Sequence, residues 1–179
     1  MSRSNPFKKK RHSARKTILL YGEGLREEIF LRHLKSLYSQ NKNIAIKIKR
    51  GKGGTADGLV AYTSRLLGSF DTRITVLDND KGKLEMKKAR DLAKKKVIEL
   101  FEHTPCIESI FLSILSSGKS FRDKDSKWCK QKFESEHPEF KRENELKKYE
   151  NLFPKKLLSK QKDKIVELRK LVNLMEGKW

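Results

Sequence analysis

The sequence predicts an α/β fold: a mainly parallel, four-stranded, Rossmann-like sheet flanked by helices, with a helical C-terminal extension. Three observations lead there. Strand-like and helix-like patterns alternate four times between residues 17 and 120, with short loops between them; this is the arrangement of βαβ units. The first strand is a continuous apolar run rather than an alternating one, as in strands buried on both faces. Beyond Pro105 the apolar spacing becomes helical.

The first strand is Ile18-Leu19-Leu20-Tyr21, ending at Gly22. From Arg26 to Tyr38, Phe30, Leu34, Leu37 and Tyr38 recur at helical spacing, with Glu27 and Glu28 in the first turn, where the helix dipole favours them. Ile44, Ile46 and Ile48 then alternate with Ala45, Lys47 and Lys49, which reads as an edge strand with one polar face. A basic loop, Arg50-Gly51-Lys52-Gly53-Gly54, leads into a helix expected to bury Leu59, Thr63, Leu66, Leu67 and Phe70. The third strand runs from Ile74 to Leu77 and ends in Asp78-Asn79-Asp80. A basic helix is expected over Leu84 to Lys96, and a fourth strand over Val97 to Phe101. Ile107, Phe111, Ile114 and Leu115 form one helical face, and Gly118 to Asp125 is a loop. Three polar helices are expected after it, broken near Pro138 and Pro154, the last carrying Ile165, Leu168, Val172 and Met175 on one side. They are expected to pack on the sheet, with a partner-binding helical hairpin as the alternative.

Charge narrows the function. The 179 residues hold 43 Lys and Arg against 23 acids, a net charge of +20, and the pI is near 10.0. Such a chain repels itself unless it meets an anionic partner, and nucleic acid is the commonest one. A lysine-rich composition without functional meaning is the competing reading. The first 16 residues carry seven Lys or Arg and no acid, which predicts a disordered basic arm over 1–16. No apolar run is long enough to span a membrane, and the N-terminus lacks the apolar stretch of a secretory signal. Cys106 and Cys129 have no paired metal spacing and are expected to be reduced, so a soluble, cytoplasmic protein is expected.

Right-handed crossovers place the carboxyl ends of parallel strands on one rim. There the first strand delivers Glu23 and the third delivers Asp78 and Asp80. Three close carboxylates repel one another unless a cation neutralises them, and hard oxygen ligands suit Mg²⁺ or Mn²⁺. Alone, Asp-x-Asp followed by Lys-Gly is also an ordinary turn, and Glu-Gly after a strand is weak evidence. Their order on the right elements carries the argument. Lys52 and the amides of Gly53 and Gly54 offer phosphate contacts at a helix start, and Arg50, Lys81 and Lys83 add positive charge nearby. His12, His33, His103 and His137 form no pattern.

An apolar strand with Glu23-Gly24, a helix, and a later strand ending Asp78-x-Asp80 resembles the Toprim domain of topoisomerases, bacterial primases, recombination proteins and OLD-type nucleases. Within that family the chain is similar to the RloB-like group. Glu23-Gly24-Leu25-Arg26-Glu27 matches its Glu-Gly-x-x-Glu, Gly51 to Gly54 its Gly-Lys-Gly-Gly, and Pro105-Cys106-Ile107-Glu108 its Pro-Cys-x-Glu. Leu25 and Arg26 depart from the Lys and small hydroxyl residue usual there, and the segment after Glu108 is aliphatic rather than aromatic.

The resemblance covers about residues 17 to 120 and implies a Toprim-like catalytic domain there, with 121–179 as the helical extension. It implies that Asp78 and Asp80 hold Mg²⁺, and that Glu23 is both ligand and general acid/base. Glu27 would hold a second ion or orient water, and Glu108 would join from its own helix start. The function implied is a metal-dependent nuclease acting on DNA or RNA, in defence against phage, with a separately encoded ATPase as partner. A non-catalytic metal- and nucleic-acid-binding module remains an alternative, as does a primase-type nucleotidyl transferase. The sequence does not indicate an oligomeric state.

Overall fold

A computed structural model describes residues 15–40, 43–140 and 146–179. The expected arm at 1–16 lies outside them, except that Arg15 is described and Lys16 opens the first strand. The α/β core runs β1 (Lys16–Gly22), α1 (Leu25–Tyr38), β2 (Ile44–Arg50), α2 (Ala56–Arg65), β3 (Thr72–Asp78), α3 (Lys83–Lys96), β4 (Glu99–His103) and α4 (Ile107–Leu115). After it come α5 (Ser126–Glu136), a 3₁₀ turn (Pro138–Phe140), α6 (Leu146–Leu152), α7 (Lys155–Gln161) and α8 (Val166–Glu176).

The four strands are parallel and lie in the order β2-β1-β3-β4. The chain steps outward from β1 to β2, then crosses back over β1 to β3. The winding direction therefore reverses between β1 and β3, and the crevice at their carboxyl ends is the favoured ligand position in such sheets. Those are the strands that deliver Glu23 and Asp78.

Each face of the sheet buries its own cluster. On one side Ile18, Leu20, Ile46, Ile48, Ile74 and Val76 meet α1, α4 and the C-terminal helices. On the other, Tyr21 and Leu77 meet Leu59 and Val60 of α2 and Met86, Ala89 and Ala93 of α3. Among the described residues, those after 120 form no separate core. Phe133, Tyr149 and Phe153 pack on Phe111, with ring centroids at 5.2, 5.8 and 5.0 Å. α6 and α8 lie on α1, and α5 and α7 on α4, while α8 also touches β4; helices expected to pack on the sheet pack mainly on the helices that cover it.

Three departures from the expected elements bear on the fold. α2 stops at Arg65 because Arg73 takes its terminal carbonyls: Nη1 donates to Thr63 and Leu66 at 3.0 and 2.9 Å. Leu67 is therefore 94% exposed rather than inward, and Phe70 lies outside the helix. β4 begins two residues later than expected, because Val97 adopts a left-handed conformation (φ 54°) and caps α3. Finally, among the described residues four α-helices follow residue 125, not three. The turn at 162–164 separates α7 from α8 with no Gly or Pro to mark it. Among the described residues, no helix is long and apolar enough to cross a membrane.

Candidate metal centre

Asp78 is the centre of the site. It ends β3, is 6% exposed, and stands opposite His103 of β4 in the strand register. Its Oδ1 accepts the Ile107 N–H at 2.9 Å, so the amino end of α4 is aimed at the carboxylate, as helix polarity favours. His103 Nδ1 lies 3.7 Å from the same oxygen. Burial pushes the Asp78 carboxyl above its ordinary range, and contacts with His103 partly offset this.

Glu27 comes to the same place from α1. One oxygen accepts the Gly24 N–H at 2.9 Å and caps the helix. The side chain is buried rather than a surface acid, and desolvation followed by the charge of Asp78 pushes it from 4.5 up to about 7. Ligand atoms of Glu27, Asp78 and His103 all lie within 4.8 Å of one another. Those of Asp78, Cys106 and Glu108 form a second such group. Glu108 is held through one oxygen by Arg26, whose other arm reaches Glu134 at 2.6 Å. Its second oxygen is buried without a hydrogen-bond partner, as are both ring nitrogens of His103.

The two outer acids are held differently. Glu23 Oε2 accepts the Asp78 N–H at 3.2 Å, and Oε1 pairs with Lys81 at 2.7 Å. Asp80 faces α5: it accepts from Ser126 Oγ at 2.6 Å, and Lys130 Nζ lies 3.5 Å away. Lys130 also approaches Asp78, at 3.9 Å. Glu23, Asp78 and Asp80 thus share the rim, but the compact groups gather on Asp78, Glu27, Glu108 and His103.

The basic loop is also largely committed. The Gly53 N–H donates to the Glu23 carbonyl at 3.1 Å, and the Gly54 carbonyl accepts from Lys81 Nζ at 2.7 Å. The first amide of α2, that of Ala56, is taken by Glu85 at 2.7 Å. The Gly53 and Ala56 amides are therefore taken by the chain's own acceptors, and Lys81 serves Glu23. Arg50, Lys52 and Lys83 remain exposed at the rim. Gly51 is required for another reason: a Cβ there would sit 2.6 Å from the Glu23 carbonyl.

These buried acidic and imidazole groups can hold a metal ion. Among the described residues, five carboxylates (Glu23, Glu27, Asp78, Asp80 and Glu108) face three cations, Lys81, Lys130 and Arg26, besides the His103 ring, and Arg26 is shared with Glu134. The partnerless atoms of Glu108 and His103 are donors of the kind a cation takes up. Cys106 fits less well, because burial pushes its thiol up and only the thiolate ligates strongly. His103 and Lys130 escaped the sequence reading. His103 lies beyond the expected strand end at Phe101 and belongs to β4 in the structure, and Lys130 comes from a helix that nothing in the sequence ties to the rim. No protein-family model, curated protein or solved structure matches the chain.

Proposed function

We propose that the protein is a divalent-cation-dependent phosphodiesterase acting on nucleic acid, with the Toprim-type acidic centre that its sequence resembles. One observation carries this reading: Asp78, at the carboxyl end of a central parallel strand, is ringed by Glu27, Glu108 and His103 within ion-holding distance. The donors are mostly hard oxygens, which suit Mg²⁺ or Mn²⁺ and leave room for an imidazole with Mn²⁺. Asp78 would hold the ion with Glu27, Glu108 and the rim acids Glu23 and Asp80. Bound there, it would supply Lewis acidity and an activated water.

The chain's own residues do the rest. Glu23 is fixed from both sides, by the Asp78 amide and by Lys81. In this reading its carboxylate, held on the rim, is the group that exchanges a proton at the phosphodiester. Glu27, near neutrality in its proton affinity, is placed to orient water. Lys130 offsets phosphate charge while Lys81 holds Glu23, and Arg50, Lys52 and Lys83 guide the backbone. A defence role and an ATPase partner rest on the resemblance alone.

A binding module without turnover is the second reading. Ion pairs already on Glu23 and Asp80 favour it. Plasmid DNA and tRNA incubated with Mg²⁺, Mn²⁺ or chelator separate the two. Cleavage is expected only with metal, and Asp78→Asn is expected to lower it by more than the roughly 10–100-fold that loss of an outer-shell partner costs. Cleavage that survives chelator, or that Asp78→Asn leaves intact, sinks the phosphodiesterase.

A further inference from the structure

Helices cover the sheet incompletely. α1 lies against β2 on one face, and on the other α2 and α3 pack over Tyr21, Leu77 and Ile98. No described helix packs on the second face of β2, and there Lys47 and Lys49 are exposed. Tyr62 of α2 stands beside them, 54% exposed, its ring 5.3 Å from that of Tyr21. With Arg65, Leu66 and Leu67 these residues line a hollow of about 350 Å³.

The hollow has an unusual lining. No acid borders it, whereas Asp57 and Glu85 line the hollow beside α3, and Glu102 and Glu167 the one beside α8. Lys47, Lys49 and Arg65 form no ion pair with any described residue; Lys47 Nζ lies only loosely over Phe70, at 5.9 Å. Lysines on an edge strand are explained by protection against strand pairing. That explanation does not cover Tyr62 and Leu67, which add apolar surface to the same edge. Cations flanking an exposed aromatic ring are the combination that holds an unpaired nucleotide strand: phosphates on the cations, a base on the ring.

The hollow also leads to the rim. Lys49 is in register with Tyr21, and Arg50 with Gly22. The Gly51 N–H then donates to the Gly22 carbonyl at 2.7 Å, turning the basic loop onto Glu23. From Lys47 to Arg50 is about 10 Å of strand.

We propose that the β2–α2 groove binds single-stranded nucleic acid, with one base stacked on Tyr62 and backbone phosphates on Lys47, Lys49 and Arg65. The strand passes over Arg50 and Lys52 to the acidic rim. That last step rests on the phosphodiesterase reading; the binding does not.

Fluorescence anisotropy with a short labelled oligothymidylate tests the binding. It is run on the full chain, in chelator, across a salt series. Tyr62→Ala is expected to weaken binding about tenfold, with Tyr62→Phe close to wild type and thermal melts unchanged. Replacing Lys47, Lys49 and Arg65 together by Ala is expected to flatten the log–log salt slope by about 2, at roughly 0.7 per lost single-strand phosphate contact. A duplex of the same length is expected to be indifferent to Tyr62→Ala. Wild-type affinity in Tyr62→Ala, or equal losses in Tyr62→Ala and Tyr62→Phe, overturns the groove. Groove-dependent binding with no cleavage under any metal overturns the phosphodiesterase and leaves the groove standing. Metal-dependent cleavage with undiminished binding by Tyr62→Ala does the reverse.

Discussion

Glu27 owes its chemistry to where it is buried. In sequence it is a first-turn acid, and in the structure it does cap its helix. The same carboxyl also faces Asp78 and His103, and burial, then the charge of Asp78, raises it from 4.5 to about 7. Its folded value therefore lies above its unfolded one, and the folded state holds the proton more tightly. The stability this contributes is complete below about pH 4.5 and lost as the pH rises to about 7. Without metal, the melting temperature is expected to fall across that window. Glu27→Gln is expected to flatten the fall and to be the more stable protein at pH 8, by roughly 3 kcal/mol. Asp78 is raised too, so some slope of the same sign remains. Differential scanning fluorimetry in chelator checks this; parallel curves for the two proteins would show that Glu27 is not the titrating group.

At the scale of elements, Arg26 ties three helices together. It extends from α1 to Glu108 on α4 and Glu134 on α5, and also donates to the Phe140 carbonyl at 3.3 Å. The sequence marked Arg26 only as a departure from the resembled motif; here it neutralises a buried acid. Arg26→Met strands Glu108, whose side chain is 3% exposed. The expected cost is about 3 kcal/mol, and replacing Glu108 by Leu in the same chain is expected to recover most of it. Urea unfolding of the three proteins measures both; a double variant as weak as the single one would show that the ion pair is not the cause. Element boundaries explain what the sequence reading missed. Val97 looks like a strand residue, but it caps α3. The resulting shift of β4 puts His103 beside Asp78. Arg73 ends α2 from ten residues away, through a contact that no local periodicity contains.

Across the whole molecule, the helices after residue 120 complete both the core and the rim. Phe30 and Phe111 pack into one cluster with Phe133, Tyr149 and Phe153, while Ser126 and Lys130 reach Asp80. A chain ending at residue 120 is therefore expected to lack a cooperative melt and a native near-ultraviolet circular dichroism signal, since its aromatic residues lose their partners. A sharp transition in that shortened chain would mean that the first 120 residues carry a sufficient core of their own.

The sequence by itself determined the strand–helix order, the parallel sheet, and the delivery of Glu23 and Asp78 to one rim. Those follow from local apolar periodicity and from the handedness of crossovers, which act over short stretches of chain. The tertiary structure decided how the acids are grouped. Glu27 and Glu108 are buried against Asp78, His103 joins them, and Asp80 turns to the C-terminal helices. Burial and charge pairing arise between residues far apart in sequence, 51 positions for Glu27 and Asp78 and 82 for Arg26 and Glu108, so no local pattern encodes them.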